Sequence, residues 1–150
     1  MVEGTWYLAG PMTGIPQFNF PAFEAAAWAL RQKGMTIISP HEEDPPEIVR
    51  AALRSVDGDP AMLGGPEVWG QRLAHDVQLI SNGVAGLVML NGWQFSRGAC
   101  LEATVALLAK KRFKAWDGRD LRTLTGPCVA KTVGWKLLRE TEGELELVED

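Results

Sequence analysis

The sequence predicts an α/β domain built on a mainly parallel sheet. Two observations carry this. Short apolar runs at Thr5–Ala9, Met35–Ser39 and Val84–Leu90 are each closed by glycine, proline or asparagine, and segments of helical period separate them. The run Val84–Leu90 is apolar at both alternating sets of positions, as a central strand covered on both faces must be. Strands that alternate with helices favour crossover connections and a layered sandwich.

In chain order, Thr5–Ala9 reads as a first strand that breaks at Gly10-Pro11. Phe20–Lys33 places Phe23, Ala26, Ala27 and Leu30 on one helical face, with Asn19 or Pro21 at its start and Gly34 at its end. Met35–Ser39 follows as a second strand, stopped by Pro40. Pro45–Ser55 is expected to form a short helix, and Asp57–Pro66, rich in glycine and proline, a loop. Val68–Ser81 carries Val68, Leu73, Val77 and Ile80 at helical spacing and ends at Asn82-Gly83. Beyond the central strand, Asn91–Arg97 is a loop and Gly98–Lys111 a helix whose basic last turn suits the negative end of the helix dipole. Phe113–Trp116 is a further strand. In the tail, Thr132–Leu138 and Glu144–Val148 have strand character and suggest a terminal β-hairpin joined near Glu142-Gly143. One domain is expected over residues 1–150, with a core at about 5–116 and an extension at 117–150.

The 150 residues are 46% hydrophobic and 23% charged, enough to bury a core and unlike a disordered chain. The net charge of −4 gives no general grip on a nucleic-acid backbone, so no nucleic-acid polymer is expected as partner. Two cysteines, Cys100 and Cys128, form no metal or redox motif. His41 and His75 are isolated, and Glu42-Glu43-Asp44 lacks the spacing of a calcium loop, so neither a metal nor another cofactor is expected. With no basic leader and no run of about 18 apolar residues, a cytoplasmic protein without a membrane partner is expected.

Ligands of open parallel sheets bind beyond the carboxyl ends of the strands. That rim would gather Gly10–Pro16, Ser39–Glu43 and Asn91–Gly98. Glycines after the first strand let a ligand approach the backbone closely. Ser96 and the amides near Gly98 and Ala99 would face an anion at a positive helix end. Glu102, one turn inside that helix, tilts back toward the same rim. Asp76 lies on the preceding helix. Taken singly, Glu102 and Asp76 are more often solvated surface charges, Asp76 with Arg72 at i−4. Phe18, Phe20 and Trp93 flank the rim and would be placed to stack on an aromatic ligand; packing is their commoner use. Trp28, Trp69, Trp116 and Trp135 read as core or interface residues. His41, at a strand end, is within reach of the rim, and its commoner use is as a satisfied loop histidine.

Three segments together, Tyr7-Leu8-Ala9-Gly10-Pro11-Met12-Thr13-Gly14, Asp76 ahead of the central strand, and Gly92-Trp93-x-x-Ser96-x-Gly98-Ala99-x-x-Glu102, resemble the nucleoside 2-deoxyribosyltransferase-like superfamily. The likeness is nearest to a small branch of it found in phages and bacteria, and it spans about residues 5–116. It implies a flavodoxin-like sandwich and hydrolysis or transfer at the N-glycosidic bond of a nucleoside or nucleotide. Glu102 would be the nucleophile, Asp76 the group that assists the departing base, and Tyr7 the residue that orients Glu102. Gly10, Pro11, Met12, Asn19, Trp93, Ser96, Gly98 and Ala99 would border the substrate.

Many transferases of that superfamily carry an aspartate where this chain has Ser96-Arg97-Gly98. A serine there resembles the monophosphate hydrolases, in which it contacts the 5′-phosphate, so hydrolysis of a nucleoside 5′-monophosphate is the expected activity. Base exchange, or nucleotide binding without turnover, is the alternative, and a partner-binding protein a third. The resemblance also implies a homo-oligomer, a dimer or larger. The segment Asp44–Gly65 has no counterpart in it.

Overall fold

A computed structural model describes residues 3–141. Five strands form one sheet in the order β2-β1-β3-β4-β5: β1 (Thr5–Ala9), β2 (Thr36–Ile38), β3 (Gly86–Leu90), β4 (Arg112–Trp116) and β5 (Leu121–Leu124). The first four run parallel and β5 pairs antiparallel with β4, Trp116 facing Leu121 and Phe113 facing Leu124. The fold is the α/β sandwich that the sequence predicts, with the strand order of a flavodoxin-like sheet.

Among the described residues, six α-helices complete it: α1 (Phe20–Gln32), α2 (Pro40–Glu43), α3 (Pro46–Arg54), α4 (Gly65–Asn82), α5 (Arg97–Leu108) and α6 (Gly126–Thr141). Alternation along β1 explains the layers. Trp6 and Leu8 point to one face and pack with Phe23, Ala26, Ala27 and Leu30 of α1. Tyr7 and Ala9 point to the other, where Ile80 of α4, Ala103 and Ala106 of α5, and Val129 and Val133 of α6 cover the sheet. β3 is buried at all five positions, with Leu87 and Met89 on one face and Val88 and Leu90 on the other. Each such side chain contributes about 1.5–3 kcal/mol by leaving water. Gly86 is required in β3, because a Cβ there would lie 2.3 Å from the Arg112 carbonyl oxygen and 2.5 Å from the Trp6 ring.

The tail departs from the expected hairpin. Thr132–Leu138 is helical, inside α6, and Glu144–Val148 lies outside the described residues. Local capping and the period of burial outweigh the β-propensity of Thr-Val. The Thr125 hydroxyl accepts from the Cys128 amide, Pro127 sits in the first turn, and Val129 and Val133, one turn apart, are both buried.

Two other expectations change. Of the two readings of Trp28, core or interface, its 67% exposure on α1 excludes the core, whereas Trp116 is buried and Trp6 fully so. His41 belongs to the short helix α2 rather than a loop; its Nδ1 lies 2.6 Å from the Ser39 hydroxyl and its ring packs against Phe20 and Phe23.

Candidate active site

The crossovers fix where a cleft must open. From β1 the chain turns one way to β2 and then back across β1 to β3, so the connections leaving β1 and β3 diverge at the carboxyl edge of the sheet. A cleft of about 660 Å³ lies there, within the size range of small-molecule sites. Gly10 directly follows β1 at this edge, where a Cβ would come within 2.9 Å of the Leu90 side chain.

Three ionisable side chains from three elements meet in the cleft. Tyr7 enters from β1, Asp76 from α4 and Glu102 from α5. The Tyr7 hydroxyl donates to Glu102 Oε2 at 2.5 Å, a buried bond between residues 95 positions apart. Glu102 is only 7% exposed, which rules out the solvated helix carboxylate that its position alone would suggest. Burial, and then the charge of Asp76, push its pKa up to about 8, against the opposing hydrogen bond from Tyr7. Burial also lifts Asp76 to about 6, while the Tyr7 hydroxyl and the Arg72 guanidinium pull it back. Tyr7 itself is held protonated well above the usual phenol range, by burial first and the two carboxylates next. Between about pH 6 and 8 Glu102 and Asp76 together therefore hold one proton, mostly on Glu102, as groups with perturbed pKa values in a cleft can.

Ser96 caps α5: its side chain accepts from the Ala99 amide at 3.2 Å, and as an acceptor there it keeps its own proton for a ligand. Ser96, Arg97, Gly98 and Ala99 all border the cleft at this helix start, where backbone dipoles favour an anion. A Cβ on Gly98 would meet nothing nearer than Ser96 Oγ at 4.0 Å, so the backbone is open to the cleft.

The opposite wall comes from a segment whose role the sequence did not reveal. Asp59, Pro60, Ala61, Leu63, Gly65, Pro66, Val68 and Trp69 all face the cleft. Asp59 caps a short 3-10 turn at Pro60–Leu63 by accepting from the Ala61 amide, and Gly64 and Gly65, both with positive φ, turn the chain into α4. The segment is tied to the β1 loop through Gly14 N–H to the Gly58 carbonyl (2.9 Å) and Gln17 N–H to the Ser55 carbonyl (2.9 Å). Gly58 has φ +69° and packs so tightly that a Cβ would sit 2.4 Å from the Ile15 carbonyl oxygen. Asp59-Pro60 and Gly64-Gly65-Pro66 are recognisable cap and turn signals, but nothing local states that they fold over the first loop.

Of the residues singled out in the sequence, Tyr7, Gly10, Met12, Asp76, Ser96, Gly98, Ala99 and Glu102 line the cleft together. Pro11, Asn19 and Trp93 stand outside the lining. Asn19 instead donates to the Pro11 carbonyl at 2.9 Å, fixing the loop, and Trp93 packs against the core beneath α4, α5 and α6. Phe18 lines the cleft although it is only 2% exposed, whereas Phe20 packs with it, Ala52 and Leu63 behind the wall. Trp69 and Phe95, 43% and 66% exposed, flank the mouth. Arg72, the surface partner expected for Asp76, makes its hydrogen bonds to Asp44 instead and acts on Asp76 through its charge.

Among the described residues, no group of three or more histidine, cysteine, aspartate or glutamate side chains is arranged to hold a metal ion, and no helix is long and apolar enough to cross a membrane. No curated protein and no solved structure matches the chain. Residues 5–114, which carry Tyr7, Asp76 and Glu102, match the model of a domain of unknown function, DUF4406, and the chain belongs to that family.

Proposed function

We propose that the protein hydrolyses the N-glycosidic bond of a (deoxy)nucleoside 5′-monophosphate and releases the free base. The observation that carries this reading is the buried trio of Tyr7, Asp76 and Glu102 on the floor of a nucleotide-sized cleft whose far side is a helix N-terminus. The likeness of the three sequence segments to the nucleoside 2-deoxyribosyltransferase-like superfamily supports it independently.

The chemistry follows from the roles these groups can fill. Glu102, ionised and steadied by the Tyr7 hydroxyl, attacks the anomeric carbon. The C–N bond breaks, its electron pair leaves with the base, and Asp76 supplies the proton that neutralises the base. The resulting ester on Glu102 is then opened by water. Asp76, now a carboxylate, takes a proton from that water, the new C–O bond forms, and Glu102 departs as carboxylate. This is the double displacement of retaining glycosidases. The phosphate would rest on Ser96 and the amides of Gly98 and Ala99, and the base against the apolar wall of Met12, Phe18 and Trp69. A free base in place of water would make the same intermediate a transferase.

One observation favours a second reading, nucleotide binding without turnover. Glu102 holds its proton more tightly than Asp76, so at neutral pH it is more often a hydrogen-bond donor than a nucleophile. Trapping separates the two. A 2′-fluorinated nucleotide, whose substituent slows breakdown of the ester, should add a sugar phosphate to the intact protein mass, mapped to Glu102. Binding of the analogue with no adduct and no base released would favour the second reading.

A further inference from the structure

Beside the trio lies a part-buried ion pair that the proposed reaction does not use. Arg72 is four residues, about one helical turn, before Asp76 on α4 and borders the same cleft. Its Nε donates to Asp44 Oδ1 at 2.8 Å and its Nη2 to Asp44 Oδ2 at 2.6 Å, a two-pronged clamp. The side chains are 22% and 7% exposed, so the pair is largely removed from water. Asp44 follows α2 directly and leads into α3, outside the lining of the cleft. Such a pair contributes little net stability, because desolvation offsets most of its attraction; its value lies in fixing where a charge sits.

We propose that the Asp44–Arg72 pair is a charge element of the candidate active site: the two-pronged clamp keeps the two charges together beside the cleft, with Arg72 one turn before Asp76, and their opposed fields set the electrostatic surroundings in which Asp76 works. The inference rests on the reading of Asp76 as the group that assists the leaving base. The charged and titratable groups that act on Asp76 are Tyr7 from β1, Asp44 from the end of α2, and Arg72 and His75 from α4 itself; Glu102 from α5 senses its charge in turn. Arg72 favours the carboxylate form of Asp76 and Asp44 disfavours it. The two partners therefore pull in opposite directions, although both belong to one contact.

That opposition gives a test a purely structural clamp would fail. Asp76 would be titrated directly, by the carboxyl carbon signals of the full chain labelled at aspartate, in wild type, Asp44→Asn, Arg72→Gln, Arg72→Lys and the double variant Asp44→Asn/Arg72→Gln. The double variant replaces the ion pair by two hydrogen-bonding amides and guards against loss of the fold in the single ones. The expected result is an Asp76 midpoint displaced to lower pH by Asp44→Asn and to higher pH by Arg72→Gln, each by roughly half a unit or more, with Arg72→Lys close to wild type. If base release is observed, the acidic limb of kcat/KM should move the same way in each variant. Equal displacements of one sign in both single variants, or none, would overturn the inference. Because the titration needs no turnover, absence of base release would count against the glycosidase reading and leave this result intact.

Discussion

Tyr7 donates a hydrogen bond to Glu102 across the interface between the central sheet and α5, and both side chains are almost wholly buried. The bond steadies the ionised carboxylate against the burial that disfavours it. Replacing Tyr7 by Phe keeps the ring and removes the donor. Base release should fall by roughly 10²-fold, the usual cost of one well-placed donor, with a smaller change in KM. Unchanged turnover would deny Tyr7 its part in orienting Glu102.

The pH dependence follows from the two carboxylates. The proposed reaction needs Glu102 ionised and Asp76 protonated. Below about 6 both are protonated and the nucleophile is lost; above about 8 both are ionised and the acid is lost. A bell-shaped kcat/KM is expected, with limbs that belong to the pair rather than to either residue. On this reading only a minor fraction of the protein is productive even at the maximum, since the more acidic group must hold the proton. A flat profile between pH 5 and 9 would contradict this assignment.

Stability should carry the opposite signature. The folded-state pKa of Glu102, about 8, lies above the ordinary value of 4.5. The folded protein binds this proton more tightly than the unfolded chain, so stability is lost as pH rises through that window. Glu102→Gln removes the liability and keeps an acceptor for Tyr7. The variant should melt at higher temperature than wild type at pH 8, by a margin worth a few kcal/mol, and the margin should shrink toward pH 5. Calorimetry at both pH values checks it.

Ser96 has two separable duties, capping α5 and meeting an anion. Ser96→Ala removes both and should cost about 1 kcal/mol of stability. Ser96→Asp restores an effective cap but places a negative charge where a phosphate would sit. Its stability should return toward wild type while turnover of monophosphates falls far more than turnover of nucleosides. Parallel losses for both substrate types would argue against a phosphate at this helix end.

Gly58 tests the wall segment. Its φ of +69° and the 2.4 Å approach of a Cβ to the Ile15 carbonyl leave no room for a side chain. Gly58→Ala should destabilise by about 1–3 kcal/mol and raise KM by detaching the wall from the β1 loop. The comparison variant is Gly14→Ala, which also has positive φ but meets nothing within 4 Å.

Much of this architecture was legible because it is written locally. β1 falls at Thr5–Ala9 as its apolar run predicts, and α1 and β3 follow from period and from glycine punctuation. Once strand order is known, Tyr7 and Glu102 must approach, since one points toward α5 from β1 and the other back toward the rim. The cleft wall was not legible: Gly58 reaches Ile15 and Asp44 reaches Arg72 through contacts that no short-range pattern encodes. α6 was misread for a different reason. Thr132 and Val133 favour strands intrinsically, and only the cap at Thr125 and the burial of Val129 with Val133 decide for a helix.

The most direct test of the central claim is base release from a panel of ribo- and deoxynucleosides and their 5′-monophosphates, separated by chromatography, with Glu102→Ala beside the wild type. The expected result is free base from at least one monophosphate, accompanied by sugar phosphate, and a loss of roughly 10³-fold or more in the variant. Silence across the panel at high protein concentration, or equal release by Glu102→Ala, would contradict it.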